Sequence, residues 1–355
     1  MSPGRPQRRP WLPPLFLLLR LMVMGVGLGI LVATALKALA PRLAQGGLAK
    51  AQFDAAPRLV GGHGLALGRF DPRVELAAVS QEWARLAQAQ KGLSASGFLL
   101  VLDDGRFADY RSTVALPAAS SIKTPILLVG LDALDQGRLR WNETLPLTAE
   151  VKGDGAGWMA SKPLGSRFPF HEAATEMIRV SDNSATNLLI KRFGGKDAVN
   201  AQFQNLGLTS TVVNNWLPDL DGTNTTSARD LARTIALVDT GQKLSPRARD
   251  LFRAILATSS TNTLIPMGLL KGIGRPEPVA DPDAELLAEG ITAYNKTGDI
   301  GIAYADAALI ELPNGQRAVA AFMVKGPFND PRSAELIRSM AAVVSRQLVG
   351  VVPKR

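Results

Sequence analysis

The sequence predicts an α/β fold of the α+β kind: a mostly antiparallel five-stranded sheet flanked by helices, plus an all-helical lobe. Three observations predict it. Strand-like patterns occur twice early in the chain and three times late, with turn signals between neighbours. A long section of helical periodicity separates the two groups. The chain then closes on an amphipathic helix, which places terminal helices on one side of the sheet. The length of 355 residues and the 46% apolar content suit one large domain or two small ones, plus an appendage.

The elements follow in order. Residues 11–36 are almost wholly apolar, broken by Arg20 and preceded by Arg5, Arg8 and Arg9. That pattern fits a cleaved signal peptide or an uncleaved membrane anchor, and the uncharged run Leu21–Leu36 favours the anchor. Ala38-Leu39-Ala40 resembles a cleavage site, but Pro41 directly after it fits poorly. The expected location is a single-pass segment (residues 1–36) in the cell membrane. The body would lie on the periplasmic or extracellular side, or be exported if the segment is cleaved. Residues 37–70 are rich in Gly, Ala and Pro and read as a linker, leaving 71–352 as the main domain.

Within that domain, Pro72 to about Gly92 is helical in period. Ser96–Leu102 and Arg106–Ser112 flank Asp103-Asp104-Gly105 as a hairpin. The helical section, about 118–262, contains Ser120–Gln136, His171–Val180, Ser184–Phe193, Lys196–Leu206, Ser227–Thr240 and Pro246–Thr258. Strand patterns return at Ile291–Lys296, Ala303–Glu311 and Arg317–Lys325, with Pro313-Asn314-Gly315 as a turn. The closing helix is Pro331–Leu348.

Composition excludes several function classes. The net charge is +9, but residues 1–50 carry seven basic residues and no acid, so the main domain is close to neutral. A nucleic-acid partner is not expected. There is no cysteine, which excludes disulfides and thiolate metal sites. The two histidines, His63 and His171, stand far apart. Neither a histidine metal site nor a Ser-His-Asp triad is expected, and no metal or cofactor is called for.

Three short words point to chemistry: Ser120-Ser121-Ile122-Lys123, Ser181-Asp182-Asn183 and Lys296-Thr297-Gly298. Each alone is weak, and S-x-x-K alone is more often a helix cap with a surface lysine. All three in order are expected by accident in roughly one such chain in several hundred. Ser120 and Lys123, three apart at the start of an apolar helix, share a face. A lysine buried there has a lowered pKa and can take the serine proton. Ser181 can relay a proton to a leaving nitrogen, and the Asn183 amide can bind both substrate and lysine. Lys296 and Thr297 can hold a substrate carboxylate, and Gly298 lets the backbone come close. The N–H groups of Asp299 and Ser120 can form an oxyanion hole.

With these words in place, the chain resembles the penicillin-recognising serine hydrolases, and most closely class A β-lactamases. Leu116-Pro117-Ala118-Ala119, the stretch Met177–Leu189 and the stretch Asn224–Leu231 carry the resemblance further, over roughly residues 72–350. It implies a site between the sheet and the helical lobe, with Ser120 as nucleophile and Lys123 as base. It also implies Ser181 as proton donor, and β-lactams or cell-wall peptides as substrates. One departure stands out. The family's Ω-loop glutamate, which activates the deacylating water, falls on Leu217 in Trp216-Leu217-Pro218-Asp219-Leu220-Asp221, and its companion Asn falls on Asp221. Asp219 or Asp221 would have to substitute, unless both are solvated loop acids. Lys-Thr-Gly-Asp-Ile-Gly also makes a shorter turn than in many family members. Trp158, in a Gly-rich stretch, is either an aromatic wall of the cleft or a core residue.

The leading expectation is therefore a serine hydrolase that opens β-lactam rings through an acyl-serine intermediate. The alternative is a D-Ala-D-Ala peptidase, or penicillin-binding enzyme, with slow deacylation because of Leu217. A third reading is a non-catalytic envelope binding protein using the same cleft.

Overall fold

The computed structural model describes residues 70–275 and 278–350. The expected anchor and nearly all of the expected linker lie outside these residues. Among the described residues no helix is long and apolar enough to cross a membrane.

One sheet organises the domain. Its strands are β1 (Val74–Glu75), β2 (Ser94–Val101), β3 (Arg106–Tyr110), β8 (Thr292–Asp299), β9 (Ala303–Glu311) and β10 (Arg317–Lys325), in the order β1-β3-β2-β10-β9-β8. The five longer strands pair antiparallel, as the hairpin signals at Gly105 and Asn314-Gly315 require. The sixth, β1, was not read from the sequence. It is two residues long and pairs parallel to β3, too short to show a period. Four further short strands form two-stranded ladders: β4 (Leu116–Pro117) with β7 (Thr225–Thr226), and β5 (Thr144–Pro146) with β6 (Arg167–Pro169).

The alternation of β2 sets the two cores. Phe98 and Leu100 join a cluster with Ile122, Ile126, Ala307 and Val319 on the helical-lobe side. Leu99 and Val101 join Trp83, Leu269, Phe322 and Met340 on the other side. Helices α1 (Ala77–Gln88), α8 (Ile265–Gly272), α9 (Pro282–Ala288) and α10 (Pro331–Leu348) cover that second face. Trp83 locks it, with its indole edge-on to Phe322 at 5.2 Å and its Nε1 donating to the Met340 carbonyl at 2.9 Å.

Helix α2 (Lys123–Asp135) is apolar on every side rather than amphipathic. Such a helix must be central. It is: α3 (Phe170–Arg179), α4 (Asn183–Arg192), α5 (Lys196–Asn205), α6 (Ala228–Asp239) and α7 (Pro246–Leu256) all pack around it. Its leading 3₁₀ turn, Ala119–Ile122, lies against the edge strand β8. The three sequence words therefore meet where the helical lobe joins the sheet.

Candidate active site

Ser120 stands in the 3₁₀ turn that runs straight into α2. The residue before it, Ala119, has φ +47°, a left-handed conformation that a side chain resists. Because α2 is buried all round, Lys123 is fully buried too. Its Nζ lies 3.0 Å from Ser120 Oγ and 2.9 Å from Ser181 Oγ. It donates to the Ser181 carbonyl at 2.6 Å and to Asn183 Oδ1 at 2.9 Å. Desolvation and the neighbouring Lys296 ammonium push the Lys123 pKa well below the usual lysine value, against the pull of Asp182. The contacts also accommodate the neutral form. The carbonyl and Oδ1 are acceptors only. A neutral amine meets both with its two N–H bonds and turns its lone pair to a serine hydroxyl.

The Ser181-Asp182-Asn183 word is held from below. Ser181 has φ +60°, the second strained residue at this site. Asp182 caps α4 by accepting from Ala185 N at 2.8 Å. Its other oxygen accepts from Trp158 N at 2.7 Å and Met159 N at 2.8 Å. The Gly-rich stretch before Trp158 wraps this turn. A Cβ at Gly157, where φ is +92°, would stand 2.2 Å from the Asp182 carboxyl. Asn183 Nδ2 donates to the Asp154 carbonyl at 2.9 Å, which fixes Oδ1 toward the lysine. Trp158 is half-buried against the helical core. Its Nε1 donates to Glu176 at 2.7 Å and its ring meets Phe168 edge-on at 5.8 Å. Its backbone N–H thus holds Asp182, while its ring belongs to the helical core.

The third word lies differently from expectation. The sequence pattern ends the strand at Lys296, whereas β8 continues to Asp299, so Lys296-Thr297-Gly298 is inside the strand. Edge pairing with β9 carries the strand on through the glycine. That glycine is required: a Cβ there would lie 2.8 Å from Ser120 N and 2.7 Å from Ser121 N. Lys296, two residues earlier on the same strand face, is fully buried and donates to the Thr297 carbonyl at 2.7 Å. Burial lowers its pKa to about 8, with Asp306 opposing. Thr297 faces the other way, opposite Asp306 in register. Asp299 is exposed at the strand end, its Oδ1 accepting from Gly301 N at 2.7 Å.

Sequence reasoning missed one pair here. Asp306 is fully buried and accepts from Asn295 Nδ2 at 3.0 Å and from Ile265 N, at the start of α8, at 2.8 Å. Burial pushes its carboxyl up to about 7, with the Asn295 bond opposing. The available signal was a polar residue at an inward position of each of two neighbouring strands.

The Ω-loop shows what replaces the absent glutamate. Leu217 is 4% exposed, and its backbone forms a reciprocal pair with the Asn187 amide, N to Oδ1 at 2.9 Å and O from Nδ2 at 2.7 Å. The loop thereby sits on α4, one turn from Asn183. A Cβ at Gly153 would meet the Leu217 carbonyl at 2.3 Å and Asn183 Cβ at 3.2 Å. Of the two nearby acids, Asp219 is committed to the loop itself. Asp219 accepts from Asn224 N at 2.6 Å and from Thr223 Oγ1 at 2.8 Å, so both oxygens close the loop on itself. Asp221 is exposed. His171 stacks on Trp141 at 5.6 Å, away from these contacts, and His63 lies outside the described residues. Among the described residues no group of three metal-ligating side chains occurs.

A serine hydrogen-bonded to a buried lysine, at the junction of an antiparallel sheet and a helical lobe, is an arrangement suited to acyl transfer through a serine ester. Comparison narrows the class. The family model described as the beta-lactamase enzyme family matches residues 78–348, and the chain belongs to that family. It is 30% identical to a β-lactamase of Streptomyces albus G over 198 residues, 52% of this chain and 63% of that protein. It is 28% identical to one of Streptomyces cellulosae, over 72% of this chain and 77% of that protein. The chain thus spans less than two thirds of the Streptomyces albus G relative, and only 55% of that of Streptomyces lavendulae. Among solved structures it is 40% identical to PBP-A, with a TM-score of 0.72 over 78% of this chain and 98% of that one. A PBP-A mutant, solved as an acyl-enzyme complex with penicillin G, matches at 40% identity and a TM-score of 0.71 over the same shares. An ancestral class A β-lactamase of Gram-negative bacteria shares the fold, at 23% identity and a TM-score of 0.65 over 76% of this chain and all of that one.

Proposed function

We propose that this protein is a serine hydrolase acylated by β-lactams at Ser120, and that it releases the acyl group slowly. The observation that carries the second half is Leu217. A buried, apolar side chain holds the position of the water-activating base, and Asp219 is committed to closing the loop.

In acylation, Lys123 receives the Ser120 proton through the 3.0 Å contact, and Oγ bonds to the lactam carbonyl carbon. The carbonyl oxygen gains negative charge facing the N–H groups of Ser120 and Asp299. The C–N bond then breaks, and the nitrogen takes a proton from Ser181, which Lys123 resupplies across 2.9 Å. The Lys296 ammonium holds the substrate carboxylate, and the Asn183 amide orients the substrate. The reaction slows at the ester, because deacylation needs a base for water that this loop does not supply. General-base help is worth about 10²- to 10⁴-fold.

A second reading concerns the physiological substrate. Slow release of β-lactams suits an enzyme whose acyl donor is a cell-wall peptide ending in D-Ala-D-Ala. The likeness to PBP-A, some 40% identical, supports that reading over a dedicated resistance enzyme. The short hydrogen bonds around Lys123 favour a working dyad over a passive binding cleft. A tether in the cell membrane, read from residues 1–36, would place this chemistry outside the cytoplasm.

Pre-steady-state kinetics with a chromogenic cephalosporin tests the proposal. The expected trace is a burst of one equivalent of opened ring per protein, followed by slow turnover. Rapid linear turnover without a burst contradicts slow deacylation. Complete absence of ring opening contradicts the enzyme reading.

A further inference from the structure

At the far end of α2 from Ser120, roughly 20 Å along a 13-residue helix, a cavity of about 760 Å³ opens on the helical lobe. Four arginines line it, Arg138, Arg140, Arg167 and Arg192, with one carboxylate, Glu143. The main domain is otherwise close to charge balance, so this concentration is local.

The arginines are incompletely used. Arg192 donates through Nε and Nη2 to Glu143, and through Nη2 to the Arg138 carbonyl at 2.9 Å. Arg167 donates through Nε and Nη2 to Thr144. Arg138 donates through Nε to Gln136 and through Nη2 to Asp132. In each, one edge of the guanidinium fixes the side chain, and Nη1 has no partner among the described residues. Arg140 makes no side-chain hydrogen bond or ion pair among them. The Glu143 carboxyl is held low first by Arg192 and then, against burial, by the charges of Arg192 and Arg140. One carboxylate therefore serves two guanidinia, and a net positive charge remains in a concave polar site.

We propose that this cavity binds a phosphate or diphosphate group. Several planar forks, anchored by one edge and open on the other, suit a multiply charged oxyanion. The volume exceeds that of a single small ion and suits a diphosphate ester. Such a group comes either from a soluble phosphate ester or from a lipid headgroup.

The test uses the full chain. Calorimetry with pyrophosphate at low salt should show one site, weakened about tenfold or more in Arg140→Ala/Arg167→Ala and weakened by added salt. Arg140→Gln is a second variant. It breaks no side-chain hydrogen bond or ion pair among the described residues, and Ser120 acylation by penicillin checks the fold of both. Flotation with phosphatidylglycerol vesicles, against phosphatidylcholine vesicles, separates the sources. The readout is the difference between wild type and Arg140→Gln, since the basic N-terminal segment is common to both. A difference on anionic vesicles assigns a lipid headgroup, whereas pyrophosphate binding without that difference assigns a soluble ester. If neither ligand distinguishes wild type from the variants, the proposal fails.

Discussion

The two walls of the site are furnished unequally. On the Ser120 wall, the polar groups converge on the serine proposed to react. Lys123 meets four oxygens, Asp182 accepts from three backbone N–H groups, and Gly298 leaves room for the serine turn. On the Ω-loop wall, equally good hydrogen bonding serves only to hold the loop. Asn187 grips Leu217, and Asp219 grips residues 223 and 224. Both walls are well bonded, but only one places a buried amine beside a serine hydroxyl. A two-step reaction is therefore provisioned for its first step. The loop can be native and well ordered without being catalytic for the second.

The largest expected effect breaks the furnished wall. Ser120→Ala should abolish covalent labelling by penicillin, and Lys123→Met should slow it by about 10²- to 10⁴-fold. Mass spectrometry of the labelled protein reads both. Labelling that persists in Ser120→Ala would move the nucleophile elsewhere.

Next comes the bare wall. Leu217→Glu should speed release of the penicilloyl group by about 10²- to 10⁴-fold, leaving acylation nearly unchanged. The rate of adduct loss reports it. An unchanged rate would mean that water lacks access, not only a base.

A third effect sharpens the comparison through pH. With a pKa near 8, Lys296 loses its charge above that value, so acylation should fall about tenfold per pH unit on the alkaline side. Acylation rates of Lys296→Arg should lack that limb near 8, because guanidinium stays protonated.

The smallest effect is on stability. Asp306 has a folded pKa of about 7, raised from 3.8. The folded state therefore holds this proton more tightly. The stability it contributes is full below pH 3.8 and is lost as pH rises through 7. Asp306→Asn should flatten that decline in thermal melts between pH 4 and 8.

How much of this was legible depended on range. Ala303–Glu311, Arg317–Lys325 and Pro331–Leu348 appear with the bounds that alternation and periodicity predict, because each is long and strongly patterned. Helix α8 was missed. Its Gly268 and Gly272 are what allow α10 to approach: a Cβ at Gly272 would fall 1.9 Å from Ser345 Oγ. Ser120, Lys123 and Ser181 were visible as words, and the structure brings them within 3.0 Å contacts of one amine. The Asn187–Leu217 clasp, the self-closure of Asp219 and the Asn295–Asp306 pair were not legible. Each depends on a loop path or strand register that no local spacing encodes.

The most direct test of the unequal walls is an intact-mass time course. The full chain is mixed with excess penicillin, freed of drug, and followed. The account predicts a single adduct on Ser120 that persists for hours in the wild type and clears within minutes in Leu217→Glu. An adduct that clears within seconds in the wild type, leaving hydrolysed drug, would contradict it and require a deacylating base other than the one this loop lacks.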